Sequence, residues 1–250
     1  MFLRLSGLTL CAASLFFVGC GKKGPMLYPD LLVAQPPGQV QVEQADTALR
    51  ITFTLPEHDK AGRPLHDLES IHIERRVCTQ ADCKDCLEPF QELQRIDLTY
   101  PEAAERAGNR VSWTDTGVRQ GEVVQYRLIS EQKGKIKGGT AQSVPAYLAA
   151  ALLPPVCTGK TIFGGTIELR CVATDSGDFR VFGYLLYRAE GSGPMRFVAR
   201  IEPVNGAYVD QSVVRGVVYR YAAKQQVRRE DGSLQESAFS VPLSLSLGDE

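Results

Sequence analysis

Two segments 95 residues apart carry one signature. Asp115-Thr116-Gly117-Val118-Arg119-Gln120-Gly121 and Asp210-Gln211-Ser212-Val213-Val214-Arg215-Gly216 share Asp, Val and Gly at offsets 0, 3 and 6. Tyr126 and Tyr221 both follow at offset 11, and Ser143-Val144-Pro145 and Ser240-Val241-Pro242 at offsets 28 and 30. A period of this length is a domain, not a solenoid unit, so the chain must fold as two similar domains. Pro36-Pro37 and Pro154-Pro155 punctuate the two starts, which places the domains at 36–150 and 151–250.

Within the repeat the apolar period is two. Val40-Gln41-Val42, Leu49 to Leu55, Leu68 to Val77, Val111 to Asp115 and Val123 to Ile129 read as strands of antiparallel sheets, with Ile71 and Ile73 on one face of the third. Ser143-Val144-Pro145 leads a last strand, Gly134 to Gly139 reads as a tight loop, and Pro101 to Ala107 as one helical turn. In the second half Val156 to Phe163 and Thr166 to Ala173 form a hairpin about Gly164-Gly165. Gly183 to Arg188, Phe197 to Ile201, Tyr219 to Tyr221 and Phe239 to Pro242 complete the set. The short apolar linker from Ala146 to Leu153 predicts a semi-rigid pair, with Leu148, Leu152 and Leu153 buried between the domains.

A strand ending in Tyr-Arg, a second strand, Asp-x-x-Val-x-x-Gly, Tyr-x-Tyr and Ser-x-Pro together resemble bacterial fibronectin type III domains, in two copies across nearly all of 36–247. The resemblance implies an all-β chain: two tandem fibronectin type III-like (immunoglobulin-like) β-sandwiches after a lipidated flexible tether. It implies no particular function. Both copies lack the core Trp usual on the second strand. Phe53 replaces it in the first copy, and Cys171 lies near that site in the second. Trp113, the one Trp of the chain, reads as core.

The N-terminus carries a different message. Arg4 followed by the apolar run Leu8 to Val18 is an export signal, too short to span a bilayer. Val18-Gly19-Cys20 resembles a bacterial lipobox, with Phe17 where Leu is usual. The resemblance implies removal of 1–19 and acylation of Cys20, a covalent lipid of the palmitate type and no other cofactor. Gly21 stands where Asp would retain the chain at the inner membrane, which implies an outer-membrane anchor facing the periplasm or the surface. Cys20 to Pro29 also resembles the CG-x-KGP segment of small outer-membrane lipoproteins, one of which assists assembly of the lipopolysaccharide translocon. That implies Lys23, Gly24 and Pro25 as partner-binding residues. Residues 20–35 form the expected tether, about 55 Å long when fully extended and about 20–24 Å as a coil.

Removing residues 1–19 takes away Arg4, so the 28 basic and 29 acidic residues become 27 and 29, a formal net of −2. That balance offers no overall field for nucleic acid or an anionic membrane. Lys133, Lys135 and Lys137 form a basic hairpin tip and Arg228-Arg229 a second, both reading as solvated strand ends or, at a membrane surface, as contacts to anionic lipid.

Of seven cysteines, Cys11 leaves with the signal and Cys20 takes the lipid, which leaves five in a disulfide-permissive compartment. Cys157 and Cys171 flank the Gly164-Gly165 turn and are expected to bridge. Cys78, Cys83 and Cys86 lie in an insertion of about 18 residues, from the longer Arg75–Asp115 spacing against Arg188–Asp210. Their spacing matches iron–sulfur, zinc and redox patterns. The favoured reading is a disulfide, Cys78 with Cys86 or Cys83 with Cys86, with one thiol left over. Of His58, His66 and His72, the last two offer a metal site with the cysteines but read rather as a solvated loop and strand face, and no nucleophile elbow, zinc-protease motif or phosphate loop is present. The expectation is no catalytic residue, no metal and no enzyme activity. The favoured function is a membrane-anchored binding or scaffolding lipoprotein with an unknown envelope protein as partner. The alternative is an accessory to lipopolysaccharide-translocon assembly acting through Lys23-Gly24-Pro25.

Overall fold

Period-two alternation becomes strand nearly everywhere it occurs. The computed structural model describes residues 28–78, 83, 87–162, 165–174, 180–204 and 206–248. The signal, Cys20, Lys23, Gly24, Pro25 and Cys86 lie outside them. The first domain contains β1 (Gly38–Ala45), β2 (Ala48–Thr54), β3 (Leu68–Cys78), β4 (Gln91–Asp97), β5 (Glu105–Ala107), β6 (Arg110–Asp115), β7 (Val123–Gln132), β8 (Ile136–Gln142) and β9 (Ala146–Tyr147). The second contains β10 (Val156–Ile162), β11 (Thr166–Val172), β12 (Arg180–Glu190), β13 (Arg196–Ile201), β14 (Ala207–Asp210), β15 (Val218–Arg228), β16 (Leu234–Glu236) and β17 (Leu243–Ser246).

Each domain packs two sheets. In the first, β1, β2, β6 and β5 face a sheet ordered β4-β3-β7-β8, with β9 also on β7. In the second, β10, β11 and β14 face β13-β12-β15, with β16 and β17 on the far side of β15. The orders superimpose strand for strand: β1, β2 and β6 correspond to β10, β11 and β14, and β4-β3-β7 to β13-β12-β15. These are two fibronectin type III-like sandwiches. Inward-facing residues meet between the sheets: Leu49, Ile51, Phe53, Ile71, Ile73 and Leu128 in the first, Ile167, Leu169, Cys171, Leu186 and Tyr221 in the second. Phe53 and Cys171 occupy equivalent core positions on β2 and β11, while Trp113 is half-buried against the first core.

The repeated residues form one cluster in each domain. Arg75 Nη1 donates to Asp115 Oδ2 at 2.7 Å, the Tyr126 hydroxyl to the same oxygen at 2.9 Å, and the Gly117 N–H to Oδ1 at 2.8 Å. Arg188, Tyr221 and Ser212 repeat these bonds on Asp210 at 2.7, 2.9 and 2.9 Å. Burial, then the adjacent carboxylates, push both tyrosine hydroxyls well above their ordinary pKa. The two-residue difference in the Ser-Val-Pro spacing is a register change. Ser143 Oγ accepts from the Tyr126 N–H, whereas Ser240 Oγ accepts from Ala223, two residues further along β15.

Several local expectations are corrected. Gly134 to Gly139 is a turn only to Lys135, and Gly138 and Gly139 lie in β8. The helical turn at 101–107 is instead a turn leading into β5. Residues 239–242 are extended chain between β16 and β17. Within the tether 20–35, the segment from Pro29 on is folded. Pro29–Leu31 is a 3₁₀ turn, and residues 31–35 form a strap on the first domain. Lys60 and Ala61 donate backbone N–H groups to Val33 and Leu31 at 2.9 Å, and Gly139 donates to Ala34 at 2.7 Å. The strap lies so close to β8 that a Cβ on Gly139 would sit 2.3 Å from Pro36 N, which is why two glycines stand there. It covers the open edge of β8, a way of blunting a sheet edge.

Candidate functional site: the joint between the domains

Of the three linker leucines expected between the domains, only Leu152 is buried without joining either core. Leu148 belongs to the first core, and Leu153 is 53 % exposed. The joint is polar and made by strands. β16 pairs in parallel with β1, Gln44 opposite Gln235 and Ala45 opposite Glu236, so one sheet runs β13-β12-β15-β16-β1-β2-β6-β5 through both domains. The Asp46 N–H donates to the Glu236 carbonyl at 2.8 Å. Arg50 clasps the Glu236 carboxylate with two guanidinium nitrogens, at 2.7 and 3.2 Å. The Gln44 amide brackets the linker, donating to the Ala149 carbonyl and accepting from its N–H at 3.0 Å each, and Gln235 donates to the Ala150 carbonyl at 2.7 Å. Burial opposes the Arg50 charge, but Glu236 more than offsets it, so the guanidinium is held above its ordinary pKa.

Ladder pairing places the outward side chains of this long sheet on one face. From β13 to β6 it carries Phe197, Tyr187, Lys224, Glu236, Arg50 and Thr114. Tyr187 makes edge-to-face contacts with Phe197 at 5.7 Å and with Phe239 at 5.0 Å, and Lys224 Nζ lies 4.7 Å over the Phe239 ring. Phe197 and Phe239 are exposed. Beside this cluster a groove of about 500 Å³ runs between Lys224 on the second domain and Arg50, Glu102, Glu105 and Trp113 on the first. Aromatic rings with charged neighbours in a fixed concave surface suit protein recognition. Sequence reading missed this site because Gln44, Arg50 and Glu236 each occur in one copy only and leave no mark in the repeat.

The cysteines divide as follows. Cys157 stands opposite Cys171 in the β10–β11 ladder, and the expected disulfide is present. In the insertion Cys78 is bonded to Cys83, not to Cys86. Cys78 ends β3, and Cys83 adopts a left-handed conformation, φ 47°, that turns it back over the strand end. Phe90 anchors the far end of the insertion, held by Arg76 at 4.8 Å and Arg127 at 4.3 Å from its ring centre. Among the described residues no group of three or more His, Cys, Asp and Glu side chains is arranged to hold a metal ion, and no helix is long and apolar enough to cross a membrane.

His72 is buried, contrary to expectation. Its Nδ1 lies 2.9 Å from Glu92 Oε1 and its Nε2 3.0 Å from Glu131 Oε2. Glu131 is 5 % exposed and also receives Arg95 Nη2 at 2.9 Å and Ser70 Oγ at 3.0 Å. Burial opposes the Glu131 charge, but Arg95, Ser70 and His72 outweigh it and hold the carboxyl below its usual pKa. A depressed folded pKa gives stability that is full above the unfolded value of about 4.3 and is lost as pH falls through the folded value. Glu131→Gln is therefore expected to lower stability at neutral pH and to flatten the acid limb of a denaturation profile. An acid limb identical to that of the parent would contradict this role.

No family model matches the sequence, and no curated protein matches it. Among solved structures, a two-domain fibronectin type III segment of chicken tenascin is similar over 84% of this chain and 99% of its own, at 14% identity and a TM-score of 0.32. The FN1–FN3 domains of chicken CNTN1 are similar over 86% of this chain and 68% of their own, at 16% identity and a TM-score of 0.31. The strand order and the duplicated Arg–Asp–Tyr cluster define the sandwiches independently of these scores.

Proposed function

We propose that the chain is a lipid-anchored, non-catalytic binding protein of the bacterial cell envelope. Its two sandwiches act as one arm that presents the Phe197-to-Thr114 face to a protein partner. The observation that carries this reading is the parallel pairing of β16 with β1, which holds the aromatic cluster and the groove in a single frame. Acylation of Cys20 would fix the arm to the outer membrane. The fold supports the reading, since fibronectin type III-like sandwiches commonly serve as binding modules.

The test is recovery of partners from native membranes in detergent, using the full lipoprotein beside Phe197→Ala/Phe239→Ala and a form lacking residues 21–29. Truncating paired aromatic anchors is expected to weaken capture about tenfold or more, while removal of 21–29 leaves it intact. Loss of translocon components only on removal of 21–29 would replace this reading with the assembly role of Lys23-Gly24-Pro25. Capture indifferent to both changes would overturn the face as the binding surface.

A further inference from the structure

We infer that the end of the first domain from which the chain leaves toward Cys20 is a contact surface for anionic phospholipid. The inference rests on the proposed anchor and adds a second, noncovalent membrane contact to it.

Chain direction places several segments at one end. β1 begins at Gly38 opposite Thr54, the last residue of β2, and the strap bonds the 58–61 loop. The Lys133 N–H donates to the Asp67 carbonyl at 2.9 Å, so the β7–β8 turn adjoins the start of β3. The Leu98 N–H donates to Glu69 at 3.0 Å, which brings the 98–101 segment to the same end. Lys60, Lys133, Lys135 and Lys137 are all exposed there. Among the described residues none of the four is in an ion pair. Tyr28, Leu31, Tyr100 and Ile136 are exposed large apolar side chains of the same end. Lysines with tyrosines and aliphatic side chains make up the composition that sits at a lipid–water boundary. Asp30 is exposed among them, whereas Asp59 holds Arg63 at 2.7 Å, Asp67 the Gln132 amide at 3.0 Å and Glu57 the Asn109 amide at 3.0 Å.

Reach keeps this end of the domain close to the membrane. Seven residues lie between Cys20 and Tyr28, eight steps of chain. They span at most about 29 Å. Each lysine near an anionic surface strengthens binding about fivefold, so four give an intrinsic affinity near millimolar lipid. That is weak alone, but a short tether supplies an effective concentration of the same order. β1 starts at this end and reaches the joint at Gln44 and Ala45, so a seated first domain points the second away from the membrane.

The test uses the mature chain from residue 20 with Cys20→Ser, which carries no lipid, and phosphatidylcholine vesicles with or without phosphatidylglycerol. Expected is co-sedimentation with the anionic vesicles only, weakened by salt and reduced about a hundredfold or more by joint Lys60, Lys133, Lys135 and Lys137→Gln replacement. Replacing Lys160, Arg170, Arg180 and Arg196 by Gln in the second domain is expected to change binding little. Equal binding to both vesicle types, no binding at low salt, or equal losses in the two variants would each overturn the proposal. Failure of the anchor itself is read separately, from the mass of the Cys20 peptide in the membrane-derived protein.

Discussion

Asp210→Ala is expected to lower the stability of the second domain by about 3–5 kcal/mol, the largest single-residue effect in the chain. Asp210 is 0 % exposed and satisfies three donors at once: the Arg188 guanidinium, the Tyr221 hydroxyl and the Ser212 N–H. Alanine leaves a mostly buried cation and a buried hydroxyl without their acceptor, and desolvation already opposes the Arg188 charge. Tyr221→Phe removes one bond and no charge, so it should cost only about 1 kcal/mol. Because the two domains are expected to melt as one unit, about 2–4 °C per kcal/mol applies, and Asp210→Ala moves the midpoint by about 6–20 °C. Calorimetry of the full chain checks it. The duplicate makes a second demand, since Asp115→Ala should damage the first domain to a similar degree. A loss below about 1 kcal/mol at both sites would show that the clusters do not hold the sandwiches together.

The second large effect concerns the joint. The parent chain is expected to unfold in one transition, because β1 and β16 belong to a single sheet. Glu236→Ala with Gln44→Ala should split it into two and broaden the range of domain angles seen by small-angle scattering. The double change removes the bidentate clasp on Arg50 and both bonds to Ala149. The clasp counted as one charged interaction of about 1.5–3 kcal/mol, with two neutral bonds of about 1 kcal/mol each, sums to about 3.5–5 kcal/mol of coupling. That is enough to matter against the stability of a domain of ordinary size. Two transitions in the parent, or an unchanged scattering curve in the variant, would mean that the linker alone sets the geometry.

What repeats in a sequence proved easy to read, and what joins the repeats did not. Asp115, Tyr126, Asp210 and Tyr221 stand at equal offsets, and each pair has the same bonding partners. Alternation located most strands because one face of each is buried. It failed at β4, where a register shift in the pairing with β3 leaves the two core-facing residues, Leu93 and Ile96, three positions apart instead of two. It failed again at the joint, where leucines in the linker suggested an apolar contact and paired backbones with buried glutamines supplied a polar one. His72 looked solvated because its carboxylate partners, Glu92 and Glu131, come from two other strands. The cysteine trio was misread because pairing depends on how the chain turns after Cys78, which spacing does not record.

The pairing of β1 with β2 on one edge and β16 on the other also sets an order in time. β1 can pair with β2 as soon as the first domain forms, but its other edge waits for β16, and the Arg50–Glu236 contact spans 186 residues. Until the second sandwich is complete that edge is open, and β15 lacks one of its neighbours. Contacts of such long range form late, and an unpaired strand edge invites mispairing with other chains. The interval between folding of the first domain and closure of the joint is therefore when this protein is most exposed to aggregation, and the period over which a chaperone would have most to protect.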